Sequence, residues 1–155
     1  MKVIRDGRNA VDLDEFLSRR LFGVLATASD LGPRASPVWF LWEHETVWVI
    51  GNRRTDSFPA RLEQVPQCAL AVVDFDPHAG LVHHVGMRGM ATLEPFDEER
   101  ASQILRRYLG QNSDHWDHER FVKPLDDLDN VLVRFVPDTV VTRDQSYRPA
   151  PGLDR

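Results

Sequence analysis

The chain holds a single cysteine, Cys68, among 155 residues. No intramolecular disulfide can form, and a zinc or iron–sulfur site built from several cysteines is excluded. Cys68 lies in the apolar run CALAVV, where a buried, inert thiol is expected. Long hydrophobic runs are missing too. No stretch approaches the roughly 20 apolar residues that span a membrane. The N-terminus MKVIRDGRNAVDLDEF lacks the apolar run of a signal peptide. A cytoplasmic location with no membrane partner is the expectation. Positive charge is not in excess either. The net charge of −5 argues against a broad nucleic-acid surface. Neither GxGxxG nor GxxxxGK[ST] occurs, so dinucleotide-fold and P-loop readings lose their main support. A serine hydrolase lacks its GxSxG elbow.

What is present fits one domain with an ordinary core: 42% hydrophobic and 28% charged residues. Residues 1–11 read as a lead-in. Asp12 with Glu15 resembles a capping box, and Leu13, Phe16, Leu17 and Leu21 share a helical stripe, so a helix is expected from about 13 to 20. FGVLATA (22–28) reads as a strand. A second strand is expected over 34–43 and a third over 46–51, joined by a short hairpin. Pro37 inside the second strand favours an edge, a bulge or a ligand-facing position. A short helix should cover 57–64, with Pro59 in its first turn. QCALAVVD (67–74) reads as a central strand. LVHHVGMRGMATL (81–93) reads as a long strand bent at its glycines, with Met87 and Met90 in the core. A helix over 97–109 is bounded by Asp97 and Gly110. A short helix is expected over 116–122. The last strand runs over 131–142 with a break at Pro137-Asp138. The tail from 144 onward reads as an extended or mobile arm. Six strand segments with peripheral helices argue for a mainly β fold, an antiparallel barrel.

The chemistry concentrates between Arg34 and Leu62. Two strands lead to a basic turn with Arg53 and Arg54, followed by Thr55 and Ser57. Arg61 lies one helical turn further. Arginines and hydroxyls beside a helix start make a phosphate site. Trp39, Phe40, Trp42 and Trp48 supply flat apolar surface. Trp39 and Phe40 face opposite sides of their strand, and Trp42 and Trp48 read as core or interface. Arg61 has a competing role as an ion-pair partner of Glu63. The histidines give a weaker metal pattern. His83 and His84 point to opposite faces, and His115 with His118 sit among surface acids. No metal site is assigned.

These motifs, in this order, resemble the pyridoxamine-phosphate-oxidase-like flavin-binding split-barrel family. The likeness rests on FGVLATAS, DLGPRASPVWF, VWVIGN with its basic turn, VPQCALAVVD and VGMRGMATLEPFD, and covers roughly residues 12–142. It implies a six-stranded antiparallel split barrel that forms a homodimer, with FMN in a groove between subunits. Deazaflavin or haem replaces FMN in some relatives. The resemblance puts Arg34 at the start of the ring-lining strand and Pro37, Val38 and Trp39 along the ring. It puts Asn52, Arg53, Arg54, Thr55 and Ser57 at the phosphate turn, with Arg61 in reserve. A lysine common in that turn is absent, Ser57 or Phe58 standing in its place. The implied activity is FMN-dependent hydride transfer involving an unknown small-molecule substrate and a reduced nicotinamide. The catalytic residue is left unknown. A non-catalytic flavin- or haem-binding module and a deazaflavin-dependent reductase are the alternatives. Removing Arg53 and Arg54 together is expected to weaken FMN by more than about tenfold.

Overall fold

The chain folds around one strongly curled sheet that takes up most of its length. The computed structural model describes residues 1–7 and 11–152, the side chains of 5–7 apart. The strands are β1 (Lys2–Gly7), β2 (Gly23–Thr27), β3 (Arg34–Val38), β4 (Leu41–Glu43), β5 (Thr46–Asn52), β6 (Gln67–Asp76), β7 (Leu81–Pro95) and β8 (Asn130–Asp144). The helices are α1 (Leu13–Ser18), α2 (Phe58–Gln64) and α3 (Glu98–Leu109). Strand order is β3-β2-β6-β7-β8-β5-β4, with β1 added to β8. No helix among the described residues is long and apolar enough to cross a membrane.

The mainly β split-barrel expectation holds, but the strand count rises from six to eight. Two segments account for the difference. The lead-in is a strand: β1 pairs with β8, Lys2 opposite Thr139 through Gly7 opposite Asp144, in parallel. The sheet is therefore not wholly antiparallel. Residues 8–10 of the lead-in and 153–155 of the tail lie outside the described residues. The strand expected over 34–43 is broken at Trp39-Phe40 into β3 and β4, which pair with different neighbours. Conversely, the break expected at Pro137-Asp138 is only a bulge in a continuous β8. Gly89 faces Pro137 and Arg88 faces Thr139, leaving Asp138 as the extra residue. Gly89 is required there, because a Cβ would come within 2.2 Å of the Val136 carbonyl oxygen. The helix expected over 116–122 is a π turn at His118–Val122, flanked by 3-10 turns at Ser113–His115 and Lys123–Asp126. His115 and His118 therefore do not share one helix. The tail leaves β8 tied down, with Gln145 N–H on the Val82 carbonyl and Tyr147 N–H on the Gly80 carbonyl.

Local rules account for the elements that were legible. Asp12 caps α1 by accepting from the Glu15 N–H, 2.8 Å, and Asp97 caps α3 through the Arg100 N–H. One face of the sheet fills the barrel with Leu25, Leu70, Val72, Val85, Met87 and Phe135, closed by Phe16, Leu17 and Phe40. Cys68 belongs to this core, and burial pushes its thiol up to about 12. Met90 does not belong to it. Buried and exposed positions alternate along this part of β7, so Met87 points in and Met90 is 52% exposed.

The β4–β5 hairpin turns on His44 and Glu45, both with positive φ, 49° and 55°. Two non-glycine residues in the left-handed region carry strain. Replacing His44-Glu45 with Asn-Gly is expected to stabilise the fold by about 1 kcal/mol, read as a higher urea midpoint at unchanged slope.

The outer face of the same sheet is apolar as well. Val24 and Ala26 of β2, Ala69 and Ala71 of β6, Gly86 of β7 and Val141 of β8 line a shallow groove of about 370 Å³. Phe22 and Phe75 are 59% and 58% exposed. An antiparallel sheet that is solvated on one side normally shows polar residues there. This one shows small and apolar residues, with Arg88, Arg143 and His84 around the groove. Burial, then the Arg143 guanidinium, lower the His84 pKa.

Candidate functional site

The site follows from how the barrel closes. Among the described residues β3 pairs only with β2 and β4 only with β5, and both lie at sheet edges. Residues 39 and 40 carry the chain directly from one edge to the other. The barrel is shut at this seam by covalent chain, without a ladder of hydrogen bonds. Pro37 lies on this edge strand, where its missing N–H is tolerated.

A side chain from α3 reaches into the seam. The Tyr108 hydroxyl donates to the Leu21 carbonyl, 2.8 Å, and accepts from the Phe40 N–H, 3.2 Å. Burial is the main cause raising its pKa. Phe40 turns into the core and Trp39 to the other side, as strand alternation requires. Trp39 stacks on the Tyr108 ring, centroids 4.6 Å apart and planes within 5°, and on Phe121 at 5.5 Å. Tyr108→Phe is expected to cost about 1–2 kcal/mol, since it leaves seam backbone groups unpaired. Thermal unfolding with a preserved far-UV spectrum checks it.

Pro37, Val38 and Trp39 line one cavity of about 270 Å³ together with Ile50, Asp56, Phe58, Ile104 and Leu105. The three residues that the resemblance assigns to the ring-lining stretch thus share a cavity with Asp56 of the turn after β5 and Phe58 at the start of α2. No histidine, cysteine or methionine lines this cavity.

The basic turn is arranged differently from a simple phosphate cradle. Asn52 is buried, and its Oδ1 accepts from the N–H groups of Arg54 and Thr55 at 3.0 and 3.1 Å. Its Nδ2 donates to Asn130. The Asp56 carboxylate accepts from the Asn52 N–H, 2.8 Å. The turn's amides are therefore already taken. Arg53 pairs with Glu63. Arg54 pairs with Asp127 at 2.8 Å and Asp129 at 3.1 Å, which raise its pKa. The Asp129 N–H, then Arg54, hold the Asp127 carboxyl below its usual range. The seven-residue α2 begins at Phe58, and Ser57 makes no side-chain cap.

Arg61, unlike Arg53 and Arg54, has no carboxylate partner among the described residues. It pairs not with Glu63 but with hydroxyls: Nε donates to Thr27 Oγ1, 2.7 Å, and Nη1 to Ser57 Oγ, 2.7 Å. Thr27 faces Arg34 across the β2–β3 ladder. Directly opposite residues project to the same side of a sheet. Arg34, Thr27, Arg61 and Ser57 therefore gather at one end of β3, and Arg34 makes no ion pair among the described residues. Pro37 lies three residues on, about 10 Å along the strand. Ser57 sits in sequence between Asp56 and Phe58 of the ring cavity. A two-arginine locus, an open strand edge and an aromatic-walled cavity lie in line. This set suits an amphipathic ligand with an anionic end and a planar ring.

Two members were not singled out in the sequence. Thr27 is buried at the end of an apolar strand, and a hydroxyl there is the local signal that marks it. Tyr108 carries no signal beyond its place on an amphipathic helix. Trp42 and Trp48 stand apart from the cavity. Trp42 Nε1 donates to Asp14, 2.6 Å, and Trp48 carries the Arg100 guanidinium 4.0 Å above its ring. No group of three or more potential metal ligands is assembled among the described residues.

Known proteins share this architecture. A conserved hypothetical protein of Mycobacterium tuberculosis superimposes with a TM-score of 0.74 at 18% identity, covering 96% of this chain and 98% of its own. An F420 reductase gives 0.65 at 21% identity, with 85% and 98% covered. The haem storage protein HutZ of Vibrio cholerae gives 0.61 at 20%, with 81% and 87% covered. At these identities the likeness is one of fold. Among curated proteins, a 106-residue stretch is 27% identical to the cytochrome P450 monooxygenase TRI4 of Fusarium sporotrichioides. That stretch is 64% of this chain, which spans about a fifth of the fungal protein, 19%. The family model described as pyridoxamine 5'-phosphate oxidase matches residues 12–142, from the cap of α1 to within two residues of the end of β8, and the chain belongs to that family.

Proposed function

We propose that this protein is a flavin-dependent oxidoreductase that binds FMN and works as a homodimer in the cytoplasm. The observation that carries the reading is the shared cavity of Pro37, Val38, Trp39, Asp56 and Phe58, with the Arg34–Arg61 locus adjoining it. Arg61 and Arg34 hold the phosphate, and Ser57 and Thr27 orient the Arg61 guanidinium. The β3 edge offers unpaired backbone groups to the polar rim of the ring, and Trp39, locked by Tyr108, walls the cavity. When bound, the flavin supplies hydride transfer to or from a small-molecule substrate, with a reduced nicotinamide as electron donor. A cavity of about 270 Å³ lies below the range of pockets that enclose a drug-sized ligand whole, roughly 300–1,000 Å³. A second subunit completes the enclosure, consistent with the apolar outer face of the sheet.

The F420 reductase among the fold relatives makes a deazaflavin the second cofactor to test at the same locus. Haem finds no histidine, cysteine or methionine among the described residues of the cavity lining. Thiolate-ligated haem chemistry of the P450 type is opposed by Cys68, a core thiol with its pKa near 12. Incubation of the purified protein with FMN, followed by gel filtration, is expected to leave a yellow protein with a perturbed flavin band. A colourless protein that retains no FMN overturns the assignment, and retention of the deazaflavin alone transfers the site to that cofactor.

A further inference from the structure

A second binding groove lies against another face of α3, away from the ring cavity. Ile104 and Leu105 of this helix border the ring cavity, whereas Gln103, Arg106 and Arg107 line a groove of about 400 Å³ with Ser18, Leu41 and Trp42. Gln111 lies at its end.

Arg107 is the unusual member. Its guanidinium lies 4.4 Å over the Phe40 ring, and Nη2 donates to the Arg19 carbonyl at the end of α1. Nε is buried without a hydrogen-bond partner, and Nη1 has none among the described residues. No carboxylate among the described residues pairs with Arg107, and burial lowers its pKa. A half-buried guanidinium without a counter-ion is an unfavourable arrangement that a bound anion relieves. The rest of the groove is suited to supply such an anion's other contacts. The Gln111 amide is a donor, the Gln103 amide is held only by a long 3.5 Å contact with Glu99, and Leu41 and Trp42 offer apolar surface. No Asp or Glu among the described residues lines it. Two neighbouring acids are engaged by groove residues: Glu99 accepts from Arg106 at 3.0 Å and from Gln103 at 3.5 Å, and Asp14 accepts from the Trp42 indole.

We propose that this groove is a binding site for a small organic carboxylate, its carboxylate on Arg107 and its apolar body against Leu41 and Trp42. The site is independent of the flavin reading, because it shares no lining residue with the ring cavity.

The test is a titration of the full chain with benzoate, followed by amide and indole N–H NMR, with benzamide as the uncharged control. Benzoate is expected to shift the side-chain amides of Gln103 and Gln111 and the Trp42 indole, saturably and about tenfold or more tightly than benzamide. Two variants test the chemistry. Arg107→Gln removes the charge. Gln103→Glu keeps Arg107 and its contact with α1 but places a carboxylate in the groove. Each is expected to abolish the benzoate shifts, the second without affecting the fold. Shifts confined to other residues, equal binding of benzamide, or unchanged binding in Gln103→Glu each overturn the proposal.

Discussion

Arg61→Met is expected to weaken FMN binding by about tenfold to a hundredfold, the value of a charge-assisted phosphate contact. Methionine keeps a long apolar stem for packing and deletes the donors to Thr27 and Ser57. Arg54→Met is expected to change affinity by about twofold or less, because that guanidinium is spent on Asp127 and Asp129 in an exposed cluster. Basic residues alone put the larger loss on Arg53 and Arg54 together; their counter-ions move it to Arg61. Freeing Arg54 tests this from the other side. Asp127→Asn with Asp129→Asn releases a cation near the turn and is expected to tighten FMN severalfold. Equal losses for Arg61→Met and Arg54→Met, measured by flavin fluorescence quenching, contradict the assignment.

Ala71→Arg carries the other large effect. Ala71 lies in the floor of the outer-face groove, facing Gly86 on β7, with Arg88 and Arg143 in the same lining. A third guanidinium there opposes like charge and removes the flat apolar surface that the proposed second copy would cover. Self-association is expected to weaken by about a hundredfold or more. Retained FMN should fall with it, since the proposed enclosure of the ring needs the second copy beside a cavity of about 270 Å³. Sedimentation velocity and bound-flavin absorbance report the two losses separately. A monomeric parent protein, or a variant that remains dimeric at low micromolar concentration, sinks the claim that copies meet on this face. Loss of dimer with FMN retained separates the interface from the site.

How much of this was legible without the structure depended on how far each signal reaches. β2, β6 and α3 announce themselves within ten or so residues, through alternation, an unbroken apolar run or paired caps. The break at Trp39-Phe40 does not. Every residue of VWFLW suits a strand, and only the transfer between sheet edges interrupts it. β1 was likewise hidden, since its partner β8 begins more than a hundred residues later. Pro37, Val38 and Trp39, which the family order suggests as a ring-lining stretch, line one cavity. The two arginines of the turn were conspicuous, but the acids that neutralise Arg54 lie 73 and 75 residues away. Charge is visible in a sequence, whereas its compensation is a tertiary property. Thr27 matters only through its register with Arg34, and Met90 left the core for the same kind of reason.

The seam at Trp39-Phe40 also has a mechanical meaning. A barrel fastened there by two residues and one phenol hydroxyl has its least cooperative closure beside its binding cavity. Amides of β3 and β4 should therefore exchange with solvent before those of β6 and β7. A ligand lying along the β3 edge, from Arg34 to Trp39, would act as the missing rung of the ladder. Occupancy is then expected to raise resistance to heat and protease most at that edge, and such a ligand would form part of the wall that contains it.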